Sequence, residues 1–169
     1  SYCTENAITF NNLNLQLINK WFLSPQELIY SHDFVNVSVA ITKDSIYTTK
    51  ETNYSWYNEQ LDLRNFQIST VPPATDFQKV TALNILNTRV NKYLTRYEFS
   101  LAPSFKKFYY DQLIFLKNID SSQFGQNEPP VYNYYGRLIN PSNAIQTAIY
   151  DISHLLNITS SNEWTPWGL

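Results

Sequence analysis

A chain of 169 residues with formal net charge −2 carries 12 Lys and Arg against 14 Asp and Glu, which argues against a nucleic-acid partner, since phosphate binding draws on clustered cations. One cysteine, Cys3, and three glycines exclude an internal disulfide, a multi-cysteine zinc site and the glycine-rich loops that let backbone approach a nucleotide phosphate. With 15% charged residues and 19 Asn, the polar surface must be carried by neutral amides and hydroxyls, while 13 Tyr and 10 Phe supply apolar area for a core.

From Asn11 to Ile18, Leu13, Leu15 and Leu17 alternate with polar residues, as on one side of an extended strand; the rival is a helix using Leu13, Leu17 and Trp21 at four-residue steps. Ser24-Pro25-Gln26-Glu27 reads as a helix start, with Ser24 as cap, Pro25 at the first helical position and Glu27 reaching back. Between Phe34 and Thr42, Val35, Val37, Val39 and Ile41 alternate with Asn36, Ser38, Ala40 and Thr42, the period of a strand with one buried face. Lys43-Asp44 then turns the chain into a β-favouring run from Ser45 to Lys50. Leu61, Leu63, Phe66 and Ile68 suggest a third strand with a slip near Asn65.

The segment from Thr75 to Tyr97 is the clearest helix in the chain. Val80, Leu83, Leu86, Val90, Tyr93, Leu94 and Tyr97 recur at three- and four-residue steps, and Thr75 with Gln78 forms a capping box after Pro72-Pro73. A second helix is expected from a Ser104 cap to about Asn118, burying Phe105, Phe108, Tyr109, Leu113 and Leu116; the rival is a strand, which Phe108-Tyr109-Tyr110 and Leu113-Ile114-Phe115-Leu116 also suit. Asp120 to Tyr134 reads as a loop. A last helix opens at Pro141-Ser142 with Ile145, Ala148, Ile149, Ile152, Leu155 and Leu156 inward, followed by an aromatic tail, Glu163 to Leu169. No apolar run reaches the roughly 18 residues of a membrane span. The fold class expected is α+β: one domain over residues 1–169, an antiparallel meander of three to five strands packed by amphipathic helices, the helix around 75–97 central.

Few residues point to chemistry. His32 with Asp33 and Glu27 is the one grouping that suggests a hydrolase, yet no nucleophile elbow accompanies it, and two histidines with a lone cysteine build no metal-rich site. No catalytic residue, cofactor or metal is therefore expected. Asn36, Asn53 and Asn157 head N-glycosylation triplets, with Asn36 turned away from the valine face by the strand alternation. Trp164 and Trp167 in the tail, with Leu13, Leu15 and Leu17, are candidate contact residues. Pro129-Pro130-Val131-Tyr132 matches a short polyproline ligand, and Phe105-Lys106-Lys107-Phe108-Tyr109-Tyr110 mixes cations and rings as single-strand binders do, though its rings suit a core better. The reading these features favour is a non-enzymatic structural or adhesive glycoprotein subunit, secreted or at the cell surface, acting through contacts with itself or neighbouring subunits. The alternatives are an accessory subunit of a large intracellular or organellar complex, and a hydrolase built around His32.

Overall fold

The computed structural model describes residues 2–4, 7–67, 72–120, 122, 124, 131–132 and 138–161. Strands β1 (Tyr2–Thr4), β2 (Ala7–Phe10) and β3 (Leu15–Ile18) form an antiparallel sheet in that order. A 3-10 turn at Asn11–Leu13 joins β2 to β3 and closes on Asn14, which sits in the left-handed region at φ 49°. Asn tolerates that region because its short amide bonds locally. The strand expected over 11–18 therefore begins only at Leu15, and Leu13 lies in the turn.

Helix α1 (Pro25–Ser31) starts as its sequence predicts, with Ser24 Oγ accepting from Glu27 N at 3.2 Å and Pro25 in the first turn. Glu27 Oε2 reaches back past the cap to Leu23 N, at 2.6 Å.

The strand expected between Phe34 and Thr42 does not form. Val35–Val37 is a 3-10 turn, and only β4 (Ala40–Ile41) is extended, paired antiparallel with β5 (Ile46–Tyr47) across the predicted turn. The cause is α2 (Lys50–Tyr57), a helix that hydrophobic periodicity does not reveal because the residues it buries are Thr52 and Ser55. Thr52 Oγ1 donates to Val35 O at 2.9 Å, Trp56 Nε1 to Asn36 O at 2.8 Å, and Ser38 Oγ to Phe34 O at 2.9 Å. Carbonyls that a strand would offer to a neighbouring strand are thus taken by side chains, and backbone satisfaction no longer requires a ladder.

Past α2, β6 (Gln60–Leu61) pairs in parallel with β7 (Ser100–Leu101), and Phe34 bridges Leu63. The third strand expected over Leu61 to Ile68 is reduced to these pieces, and Ile68 lies outside the described residues. At the anticipated slip, Asn65 Nδ2 donates to Tyr30 O at 2.8 Å and His32 O at 2.7 Å, which ties the segment to the end of α1.

Helix α3 (Asp76–Arg96) carries the capping box its sequence predicts: Thr75 Oγ1 accepts from Gln78 N at 3.1 Å, and Gln78 Oε1 accepts from Thr75 N at 3.4 Å. Val80, Leu83, Leu86, Val90 and Leu94 are buried, as their spacing requires. Helix α4 (Pro103–Lys117) has Ala102 at its N-cap position, two residues before the expected Ser104 and without a side-chain cap; the Ser104 hydroxyl instead donates to Asp62 Oδ1 at 2.8 Å. Phe105 and Tyr109 stack at 4.9 Å in the core, while exposed Lys107 pairs with Asp111 on the outer face. Phe105 and Tyr109 thus serve packing, as their spacing suggests, while Tyr110 is exposed.

Strands β8 (Val131–Tyr132) and β9 (Leu138–Ile139) pair antiparallel, so the end of the expected loop is part of a strand ladder; Pro129 and Pro130 of the polyproline pattern lie outside the described residues. Helix α5 (Pro141–Ser161) lies along α3, its Ala144 and Ala148 fully buried so that the two backbones approach closely. Asn84 Nδ2 of α3 donates to Ala144 O at 3.1 Å. The core runs from Phe34 and Leu61 through α3 and α4 to α5. The class is α+β, as expected, with the meander at residues 2–18 and not at 34–68. Among the described residues no helix is long and apolar enough to cross a membrane.

Candidate functional site

The sheet of β1, β2 and β3 has one property that sets it apart from the body of the chain. Its register pairs Ile8 with Leu17 and Phe10 with Leu15, and pairs Ala7 with Ile18 and Thr9 with Gln16. Because side chains alternate across a strand, Ile8, Phe10, Leu15 and Leu17 share one face and Ala7, Thr9, Gln16 and Ile18 the other. The first face is wholly apolar. On the second, Gln16 Nε2 donates to Thr9 Oγ1 at 3.1 Å, a polar cross-strand pair of the kind that faces water.

An antiparallel sheet with this division normally lays its apolar face on a core. Here that face is largely exposed: Leu15 is 46% exposed and Leu17 52% exposed, Phe10 is partly covered, and no residue before Phe34 belongs to the core cluster. Leu13 in the turn, and Trp21 and Leu23 in the segment that follows, are exposed as well. From Ala7 to Asn19 the chain contains no charged residue. The outer edge of β3 pairs with no strand among the described residues. Sequence reading singled out Leu13, Leu15 and Leu17 but missed Ile8 and Phe10. Their signal was present in the alternation of Ala-Ile-Thr-Phe ahead of the Asn-rich turn.

The remaining candidates are dispersed. Asp33 is held by Arg89 of α3, and its Oδ1 accepts from Phe34 N at 3.0 Å. Glu27 is occupied at the start of α1. His32 Nδ1 is buried with no hydrogen-bond partner among the described residues, and its carbonyl accepts from Asn65. The described residues contain no group of three or more His, Cys, Asp or Glu able to hold a metal ion. Asn36 is not turned outward as its alternation suggests: it is 2% exposed, because the 3-10 turn rolls it under α2. Asn53 on α2 and Asn157 near the end of α5 are exposed. Trp164 and Trp167 lie outside the described residues.

A cavity of about 350 Å³ lies beside α2, lined among others by Lys50, Glu51, Tyr54, Ser55 and Asp62. Ser55, Asp62 and Glu51 are engaged in structure. Ser55 Oγ donates to Gln60 O, and Asp62 Oδ1 accepts from Leu63 N and Ser104 Oγ. Backbone N–H groups at the start of α2, with the Thr49 hydroxyl, hold the Glu51 carboxyl below its ordinary value. That is the electrostatics of a helix N-terminus and supplies no nucleophile with a base beside it.

No protein-family model, curated protein or solved structure matches the chain.

Proposed function

We propose that this protein is a non-enzymatic subunit that works by protein–protein contact, and that the uncovered face of the β1-β2-β3 sheet is the surface through which it meets a second copy of itself. The observation that carries the reading is the pairing of Ile8 with Leu17 and Phe10 with Leu15 on an apolar face where Ile8, Leu15 and Leu17 are exposed. A second copy suits this face better than a charged partner. With no ionisable side chain from Ala7 to Asn19, two copies meet without like-charge repulsion, whereas an anionic or cationic partner finds no counter-charge. The edge of β3 also allows two sheets to join edge to edge, so that main-chain hydrogen bonds add to the apolar contact.

The reading extends to an extracytoplasmic glycoprotein, secreted or at the cell surface, with Asn53 and Asn157 as the acceptors that remain accessible in the folded chain. Light scattering over a concentration series tests the assembly. A dimer that dissociates on dilution, and a Leu15→Asp, Leu17→Asp variant that stays monomeric, are expected. A wild-type chain that is monomeric at every concentration overturns self-association, and co-purification in a defined intracellular complex without glycan mass favours the accessory-subunit alternative.

A further inference from the structure

We infer that the cleft between α3 and α5 is a binding site for a small primary ammonium compound bearing an oxygen on the adjacent carbon. The cleft encloses about 220 Å³ and is lined by Asn87, Thr88 and Asn91 of α3 and Asp151, His154 and Leu155 of α5. At its floor Asn87 is 1% exposed, and neither its Oδ1 nor its Nδ2 has a partner among the described residues. Buried amides are nearly always satisfied, so an unsatisfied one lining a cavity calls for an occupant.

The inventory of donors and acceptors says what kind. Thr88 Oγ1 gives its proton to Asn84 O at 3.0 Å, so toward the cleft it offers lone pairs only. Asp151 is half-buried, and no ion pair joins it to a cation among the described residues. Burial holds its carboxyl above the ordinary carboxylate value, and His154 one turn along pulls weakly the other way. With the Asn87 and Asn91 carbonyl oxygens, the lining is rich in acceptors and contains one acid, faced by the His154 imidazole one turn along.

An ammonium group, with three donors and one positive charge, matches three such acceptors. Asn87 Nδ2 is left to donate to an oxygen on the neighbouring carbon, and the buried Leu155 side chain provides a wall for methylene groups. An anion is disfavoured by Asp151. A divalent metal would find a single carboxylate, and no group of three ligating side chains exists among the described residues. The volume equals that of about seven liquid waters, enough for a molecule of ethanolamine size with room at the rim.

The test is a titration of the full chain with ethanolamine, followed by backbone amide chemical shifts, with ethylene glycol as the uncharged comparator. Saturable shifts along α3 and α5 with ethanolamine, absent with ethylene glycol, are expected. Asp151→Asn should weaken binding by about tenfold or more, since a hydrogen bond to a charged group is lost. No saturable shift, an equal response to ethylene glycol, or undiminished binding by a folded Asp151→Asn chain overturns the assignment in favour of a water-filled cleft. Should Asp151→Asn fail to fold, the wild-type comparison of the two compounds decides alone. The Leu15→Asp, Leu17→Asp variant should bind ethanolamine as the wild type does, so failure of the assembly reading and failure of this one are separable.

Discussion

Arg89 of α3 forms an ion pair with Asp33 and at the same time lies over the ring of Phe34, its guanidinium carbon 4.9 Å from the ring centre. One side chain thereby joins the long helix to the irregular segment that follows α1. Both partners are partly shielded, with side chains 29% and 15% exposed, so the pair is screened less than a surface one. Arg89→Met leaves Asp33 without its cation and should lower stability by about 1–3 kcal/mol. In urea unfolding this appears as a reduced midpoint at constant slope; an unchanged midpoint shows that the pair contributes nothing.

The capping box at Thr75 and Gln78 satisfies N–H groups that no intrahelical carbonyl reaches. Thr75→Ala should cost about 1 kcal/mol. Gln78→Ala should cost less, because water can reach an exposed N–H. The order of the two losses, read from denaturant melts, checks the claim.

Leucines on the sheet and leucines in the body should respond in opposite ways. Leu83 is fully buried, so Leu83→Ala should lose about 2–5 kcal/mol through lost transfer energy and a residual cavity. Leu15→Asp exposes nothing new and should change monomer stability by roughly 0.5 kcal/mol or less. Comparable losses at the two positions would mean that the sheet face is covered in solution by the chain itself.

One half-buried acid and one buried phenol make stability depend on pH, with the same sign. The folded chain holds the Asp151 proton above the ordinary value of 3.8 because the site is desolvated, and it holds the Tyr109 proton well above 10.0 for the same reason, reinforced by Asp151. In each window the folded state binds more protons than the unfolded one, so stability falls as pH rises. For Asp151 the loss begins near 3.8 and is complete above the raised folded value; for Tyr109 it begins near 10.0. Asp151→Asn should therefore gain stability at neutral pH relative to wild type, and that gain should shrink toward about pH 3. Tyr109→Phe, which also removes a buried hydroxyl without a partner, should flatten the alkaline fall. Unfolding free energies across pH, compared between variants, decide both.

Passage through a glycosylating compartment should leave sugar mass at Asn53 and Asn157 and none at Asn36. The first two are exposed in the folded chain, and the third lies beneath α2. Glycopeptide mapping reads this directly, and sugar at Asn36 would contradict the packing of the 3-10 turn against α2.

Helices α3, α4 and α5 were legible from residues alone, because each buries an apolar stripe whose spacing repeats with the helix and each begins with a Thr, Pro or Ser signal that acts locally. The single acidic and single hydroxyl positions were not legible in the same way. Helix α2 buries Thr52 and Ser55, so its inward face carries no hydrophobic period, and the alternating valines from Val35 to Val39 look like a strand until Thr52 and Trp56 take the Val35 and Asn36 carbonyls. The cleft of Asn87 and Asp151 was equally hidden, since its residues lie 64 positions apart in a chain that only the packing of α5 on α3 brings together. Local periodicity and caps depend on neighbours within a turn or two, which the order of residues contains; which carbonyl a distant hydroxyl reaches, and which face stays bare, depend on how the helices come to rest on one another.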